Sequence, residues 1–228
     1  MSSDNLNVPV ITIDGPSGSG KGAISRALAA HLGWHYLDSG SLYRLLAFAA
    51  RRAGVALDDE DALAELAGQL AERCSMPATD DATVLLDGEN ITAELRTEAA
   101  GEDASRIAVL PDVRFALLEW QHRCRRMPGL VADGRGMGTV IFPDAGLKLF
   151  LDARPEVRAE RRYKQLKNMG KEADLSALVE EVLARDARDA ARPTAPMQPA
   201  ADAVRLDNSD MDEAATLAEV LELVRDRL

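Results

Sequence analysis

The chain of 228 residues has little cysteine and little histidine, with two of the first and three of the second. Cys74 and Cys124 lie far apart in a chain long enough to bury a core without a covalent staple, so they read as buried free thiols in a reducing compartment. His31, His35 and His122 have no metal-ligand spacing and no CxxC accompanies them, which argues against a structural zinc site. Long apolar runs are missing as well. Leu45–Ala50, among the most apolar windows, falls far short of the roughly 20 residues a membrane span needs. The N-terminal MSSDNLNVPV has no cationic stretch followed by an apolar one, so no secretory signal and a cytoplasmic location are expected. Positive charge is in deficit, 27 basic against 38 acidic residues, a net charge of -11. That excludes a nucleic-acid or anionic-membrane surface built on bulk positive charge.

What is present is ordinary for a folded domain: 46% hydrophobic and 29% charged residues. Short apolar, β-branched runs alternate with helical periodicity, the signature of βαβ units and a mainly parallel sheet. The expected strands are Val8–Ile13, His35–Leu37, Leu130–Ala132, Leu147–Leu151 and Ala203–Leu206. Helix patterns run through Ile24, Leu28 and Leu32, through Val113, Leu117, Trp120 and Cys124, and over Asp212–Arg227. Five strands with helices on both faces predict a three-layer α/β fold.

Residues 58–103 interrupt the alternation and read as an insert into a core of 8–57 and 104–228. It opens with a helix near Asp61–Arg73. Two short strands follow, Thr83–Leu86 and Asn90–Thr92, around the hairpin signal Asp87-Gly88, with Glu89 lengthening the loop. From Leu57 to Asp103 there are 14 acidic residues against Arg73 and Arg96, which leaves 24 acidic and 25 basic residues elsewhere. The acidity is local. Residues 151–171 carry seven basic against three acidic side chains. Arg192–Ala201, with Pro193, Pro196 and Pro199, reads as an irregular connector.

The first strand runs into Gly15, Pro16, Ser17, Gly18, Ser19, Gly20, Lys21, Gly22 and Ala23, followed by an amphipathic helix. Glycines there let backbone N–H groups converge on a phosphate, the helix N-terminus adds partial positive charge, and Lys21 can reach β and γ oxygens. The strict phosphate-loop pattern asks for Ser or Thr where Gly22 stands, and a flexible turn with a solvated lysine is the alternative.

GPSGSGKG, then LDSGSLYR, VADGRGMGTVIFPDA and ARDARDAAR, together resemble the bacterial cytidylate kinases, over nearly the whole chain. The resemblance implies a P-loop fold with a five-stranded parallel sheet, an acceptor-side insert carrying a small antiparallel sheet, and a short lid at 154–171 whose closure excludes water. It implies transfer of the γ-phosphoryl group of ATP to CMP or dCMP with Mg2+. A monomer is expected, although no feature of the sequence fixes the oligomeric state. Lys21, Arg135 and Arg192 would act on the transferring phosphate. Gly15–Ala23, with Arg161 and Arg162 of the lid, would hold ATP. Ser39, Tyr43, Arg44, Ser105, Arg114, Asp133, Arg135, Arg185, Asp189 and Arg192 would hold CMP, and Asp133 could also reach the magnesium through water. Ending the loop on Lys21-Gly22 is usual for the family. Two positions depart from its pattern: Ala23 replaces a threonine, and Gly136 replaces an aspartate after the arginine of the DGR motif.

The residues admit plainer readings too. Ser39 could be a helix N-cap and Asp133 a turn residue. Arg185, Asp189 and Arg192 extend the stripe set by Leu178 and Val182, which puts them on one helix face toward a cleft, although helix salt bridges would use the same spacing. The basic residues Arg158, Arg161 and Arg162 after Pro155 could be a solvated helix face. A kinase of another acceptor such as UMP, or a weakly active nucleotide-binding protein, stays open because of Ala23 and Gly136.

Overall fold

The computed structural model describes residues 8–75, 83–191 and 197–227. Its strands and helices follow in the order β1 Val10–Asp14, α1 Lys21–Leu32, β2 His35–Asp38, α2 Ser39–Ala53, α3 Glu60–Arg73, β3 Cys74–Ser75, β4 Leu85–Leu86 and β5 Glu89–Asn90. Then come α4 Thr92–Leu95, α5 Glu98–Ile107, α6 Pro111–Arg123 and β6 Leu130–Gly134. A π-helical turn Met137–Ile141 leads to β7 Leu147–Asp152, α7 Pro155–Asn168, α8 Leu175–Ala190, β8 Val204–Asp207 and α9 Glu213–Arg227. The main sheet has the strand order β2-β6-β1-β7-β8. Ile11 registers with Leu147, and Leu149 with Val204, in parallel pairs. Every residue of β1 and β6 is buried, as strands covered on both faces require. The α/β class and its five-stranded parallel sheet are those expected from the alternating pattern.

Strand boundaries move by one or two residues. Pro9 has no N–H for a ladder, so β1 starts at Val10 rather than Val8, and it runs on to Asp14. The small sheet has three strands, not two, because Cys74 and Ser75 pair with β4. Glu89 does not lengthen the hairpin loop: it pairs with Leu86, and Asp87-Gly88 alone make the turn. Both turn residues have positive φ, 51° and 82°, the twist a two-residue hairpin favours. Thr92, expected in a strand, opens α4 instead.

Two compact units emerge. One holds His35–Leu130, where α2 packs on α3 and α5, and α3 on α6. Its core includes Leu42, Leu45, Leu46, Leu63, Leu70, Ile107, Val113 and Leu117. The other holds Pro9–Trp34 and the chain from Val131 onward, with α1 against α9 and α7 against α8. The face of α7 that meets α8 has its own small core of Ala159, Leu166 and Leu178. Cys74 and Cys124 are free but only half buried, which corrects the expectation of buried thiols. Desolvation still pushes the Cys74 thiol up to about 11 and raises that of Cys124. Among the described residues no helix is long and apolar enough to cross a membrane.

Candidate active site

In the second unit the fully buried β1 delivers the chain into a tight turn. Gly15 has φ +152°, and a Cβ there would sit 2.1 Å from the carbonyl oxygen of Leu151, so this position admits only glycine. Gly20, at φ 88°, caps the N-terminus of α1 without a side chain. The Lys21 Nζ donates back to the Pro16 carbonyl at 3.2 Å, folded over the loop that a phosphate would enter.

A carbonyl aimed into an anion site would repel the anion, and here two loop carbonyls are taken up from outside. The Ser17 carbonyl accepts from Arg158 Nη1 at 3.1 Å. That of Ser19 accepts from Asn208 Nδ2 at 2.9 Å and Arg161 Nη1 at 3.2 Å. Arg158 also donates from Nε to the Ala153 carbonyl at 2.8 Å, and it makes a two-pronged ion pair with Asp186 at 3.0 and 2.5 Å. It is buried, not solvated. Arg161 spends further N–H groups on the side chain and carbonyl of Asn208, and burial lowers its affinity for its proton below the usual arginine range. Arg162 is half buried beside Gln165, at 3.2 Å. Two of the three basic residues after Pro155 thus brace the loop itself.

Asp133 is buried in β6 and Arg135 follows that strand. The Nε of Arg135 pairs with Asp189, a carboxylate with no exposed surface. The pair occupies the Nε edge of the guanidinium, so a phosphate would be met by its Nη edge. Arg185 lies one turn before Asp189 on α8, half buried. Of the three residues expected on one helix face, the structure brings Asp189 together with Arg135. Arg192 falls beyond the end of α8, outside the described residues.

In the first unit the N-cap of α2 is Asp38, whose carboxylate accepts from the Ser41 N–H at 3.1 Å, so Ser39 is not the cap. Ser39 is buried and its hydroxyl donates to Gln121 Oε1 at 2.8 Å, while Gln121 Nε2 donates to the Leu117 carbonyl. Tyr43 is buried one turn further along α2. Arg44 Nη1 donates to the carbonyls of Leu95 and Thr97, at 2.7 and 3.1 Å, where α4 gives way to α5. Gly101 matters to it, because a Cβ there would come 2.9 Å from Arg44 Nη2. Ser105 is half buried on α5, and Arg114 Nη1 reaches the Ala108 carbonyl at 3.2 Å.

Sequence reasoning gave no role to Asp14, Asp186, Asn208 or Gln121. Asp14 stands directly before the loop motif, between the first strand and Gly15, and could have been found there. Asp186 stood inside ARDARDAAR and could have been found there too, whereas Asn208 and Gln121 carry no periodic or motif signal. Among the described residues no group of three His, Cys, Asp or Glu side chains could hold a metal ion.

The cytidylate kinase family profile matches residues 11–226. The chain is 52% identical over 221 residues to the cytidylate kinase of Stutzerimonas stutzeri, covering 96% of each chain. It is 52% identical over 219 residues to that of Pseudomonas fluorescens and 51% over 218 residues to that of Pseudomonas aeruginosa, with 95% of each chain covered. Its fold is shared with a crystal structure of an uncharacterized protein from Eubacterium ventriosum, at TM-score 0.54 and 11% identity over 96% of this chain and 99% of that one. With the family profile spanning β1 to α9 and half of all positions identical to cytidylate kinases of matching length, the chain belongs to the cytidylate kinase family.

Proposed function

We propose that this protein transfers the γ-phosphoryl group of ATP to CMP or dCMP, giving ADP and CDP or dCDP, as a cytoplasmic monomer. The observation that carries the reading is the near-complete match in length and sequence to cytidylate kinases. The geometry supplies the chemistry. Phosphoryl transfer needs two phosphates held in line and the charge on the equatorial oxygens neutralised, with little covalent help from the protein. The loop Gly15–Ala23 would cradle the ATP phosphates, with its outward carbonyls held by Arg158, Arg161 and Asn208. Lys21 would leave the Pro16 carbonyl for the β and γ oxygens. The Nη edge of Arg135, fixed by Asp189, would face the phosphoryl group as it moves, and Arg192 would add a further cation. An oxygen of the CMP phosphate attacks the γ phosphorus, the bond to the bridging oxygen breaks, and its electrons leave with ADP.

Ser39, Tyr43, Arg44, Ser105 and Arg114 in the first unit, and Asp133, Arg185 and Asp189 in the second, are the proposed acceptor contacts. Arg162 is proposed to complete the ATP side. A hard carboxylate such as Asp133 suits Mg2+, which keeps most of its waters and arrives with nucleotide rather than in a protein cage. Asp133 would hold it through water, and the ion would neutralise charge on the β and γ oxygens.

A coupled assay of ADP release with CMP, dCMP, UMP, AMP and no acceptor tests the reading. We expect CMP and dCMP to accelerate ADP release well above the other arms. Equal rates with and without CMP would contradict the kinase reading, and a preference for UMP would contradict the substrate. Gly136 bears on that preference, because a carboxylate there would add a charged acceptor beside the site. Gly136→Asp should raise the ratio of kcat/KM for CMP over UMP by about 10-fold or more, the worth of one hydrogen bond to a charged group at roughly 1.5–3 kcal/mol. An unchanged ratio would make the missing carboxylate irrelevant to base choice.

A further inference from the structure

Asp14 ends β1, immediately before the loop, and its carboxylate is buried. Desolvation raises its affinity for a proton above the usual carboxylate range, and N–H donors from residues 136–138 oppose that rise. Its Oδ1 accepts from the Met137 N–H at 2.8 Å and its Oδ2 from the Gly138 N–H at 2.9 Å, across a separation of more than 120 residues. Met137 and Gly138 open the π-helical turn that follows Arg135. The first N–H groups of any helical turn have no partner within it, and a carboxylate at that end is favoured by the local dipole. Inside the turn, the Gly136 carbonyl accepts from the N–H groups of Val140 and Ile141 at 3.0 and 3.2 Å. The opening N–H groups are satisfied from another strand altogether.

A second contact from β1 fixes the same turn. Thr12 and Asp14 share one face of the strand, two positions apart. A Cβ on Gly138 would stand 2.8 Å from Thr12 Oγ1 and 3.1 Å from Lys148 Cδ, so the turn lies against the sheet as closely as glycine permits. Here the turn begins two residues after Arg135, while Asp14 is the residue from which the Gly15 loop departs.

We propose that Asp14 is a positioning residue: its carboxylate ties the root of the phosphate loop to the turn after Arg135 and so holds the Arg135 guanidinium in register with that loop. The inference rests on the reading of Arg135 as a catalytic group. Asp14 is buried with its oxygens directed at that turn, so its role is positional rather than catalytic. A buried carboxylate is costly unless its hydrogen bonds are all made, and here both oxygens are spent on one turn. An asparagine of the same shape has a single acceptor oxygen and would set its amide N–H groups against one of the two backbone donors.

The test is a double-mutant cycle on the full chain, with Asp14→Asn, Arg135→Lys and the combination. Misplacing a catalytic group by about 1 Å can cost roughly 100-fold, so Asp14→Asn should lower kcat about 10- to 100-fold with the KM for ATP within about 2-fold. ADP affinity by calorimetry should also stay within about 2-fold. In the Arg135→Lys background the further loss should shrink to less than about 3-fold, because the group being positioned is already impaired. Equal losses in both backgrounds, or an unchanged kcat in Asp14→Asn, would overturn the proposal. An Arg135→Lys variant with full activity would instead overturn the catalytic reading of Arg135, and this inference with it. Should Asp14→Asn fail to fold, Gly138→Ala replaces it in the cycle, since its Cβ displaces the same turn, and the same two outcomes decide.

Discussion

Replacing Arg135 by alanine is expected to lower kcat for CMP phosphorylation by about 1,000-fold or more, the range in which a cation on a transferring phosphoryl group works. Arg135 stands at the end of a fully buried strand, with Asp189 holding its Nε edge. Asp189 has no exposed surface, so the guanidinium arrives oriented and in a setting where charge is poorly screened. Lysine at this position keeps the charge but not the fork, and Arg135→Lys should recover only part of the loss. Removing the arginine also leaves Asp189 buried without its partner, which destabilises the fold. Steady-state kinetics should therefore be run well below each variant's unfolding transition. A kcat within about 5-fold of the parent would remove Arg135 from the phosphoryl-transfer machinery, given the size of effect such cations produce.

The second large effect falls on stability. Arg158 is 3% exposed, and its guanidinium is shared among the Ala153 carbonyl, the Ser17 carbonyl and both oxygens of Asp186. Breaking a buried pair by removing one partner costs about 3–5 kcal/mol. Asp186 is partly solvated, at 23% side-chain exposure, which favours the lower end. For a chain of this size about 1 kcal/mol corresponds to roughly 2–4 °C, so Arg158→Ala should lower the Tm by about 6–12 °C in scanning calorimetry. The Ser17 carbonyl loses a donor in the same change, and the KM for ATP should rise. A Tm within about 2 °C of the parent would show that the pair and its two carbonyl contacts contribute almost nothing to the native state.

These two arginines mark where the sequence was legible and where it was not. Arg135 and Asp189 were readable because a motif at a strand end and a helical spacing each carry local information, and the two signals met in one ion pair. The same periodicity places Arg192 on the extended stripe, and Arg192 lies outside the described residues. Arg158 could be read only as a basic residue on a helix. Its partners Ser17 and Asp186 lie 141 and 28 positions away, where no local pattern points to them. Asn208 and Ser19 are 189 positions apart, and Ser39 and Gln121 are 82.

The fold itself was written in alternation. The run Leu147–Leu151 is apolar but for Lys148, which pairs with Asp202, and it became an interior strand covered on both sides. The short strand at Cys74–Ser75 has neither the length nor the alternation that would announce it, and it exists because β4 offers an edge to pair with. Glu89 shows a register effect. Once Asp87 and Gly88 both take positive φ, the next residue is already in the ladder.

The most direct measurement of the central claim follows the phosphoryl group itself. The protein is incubated with Mg2+, ATP labelled in its γ-phosphoryl group, and CMP, and the products are separated. The label should move into CDP, in amounts that match the ADP formed and that vanish when CMP is omitted. Label found only in inorganic phosphate, at a rate indifferent to CMP, would contradict that claim.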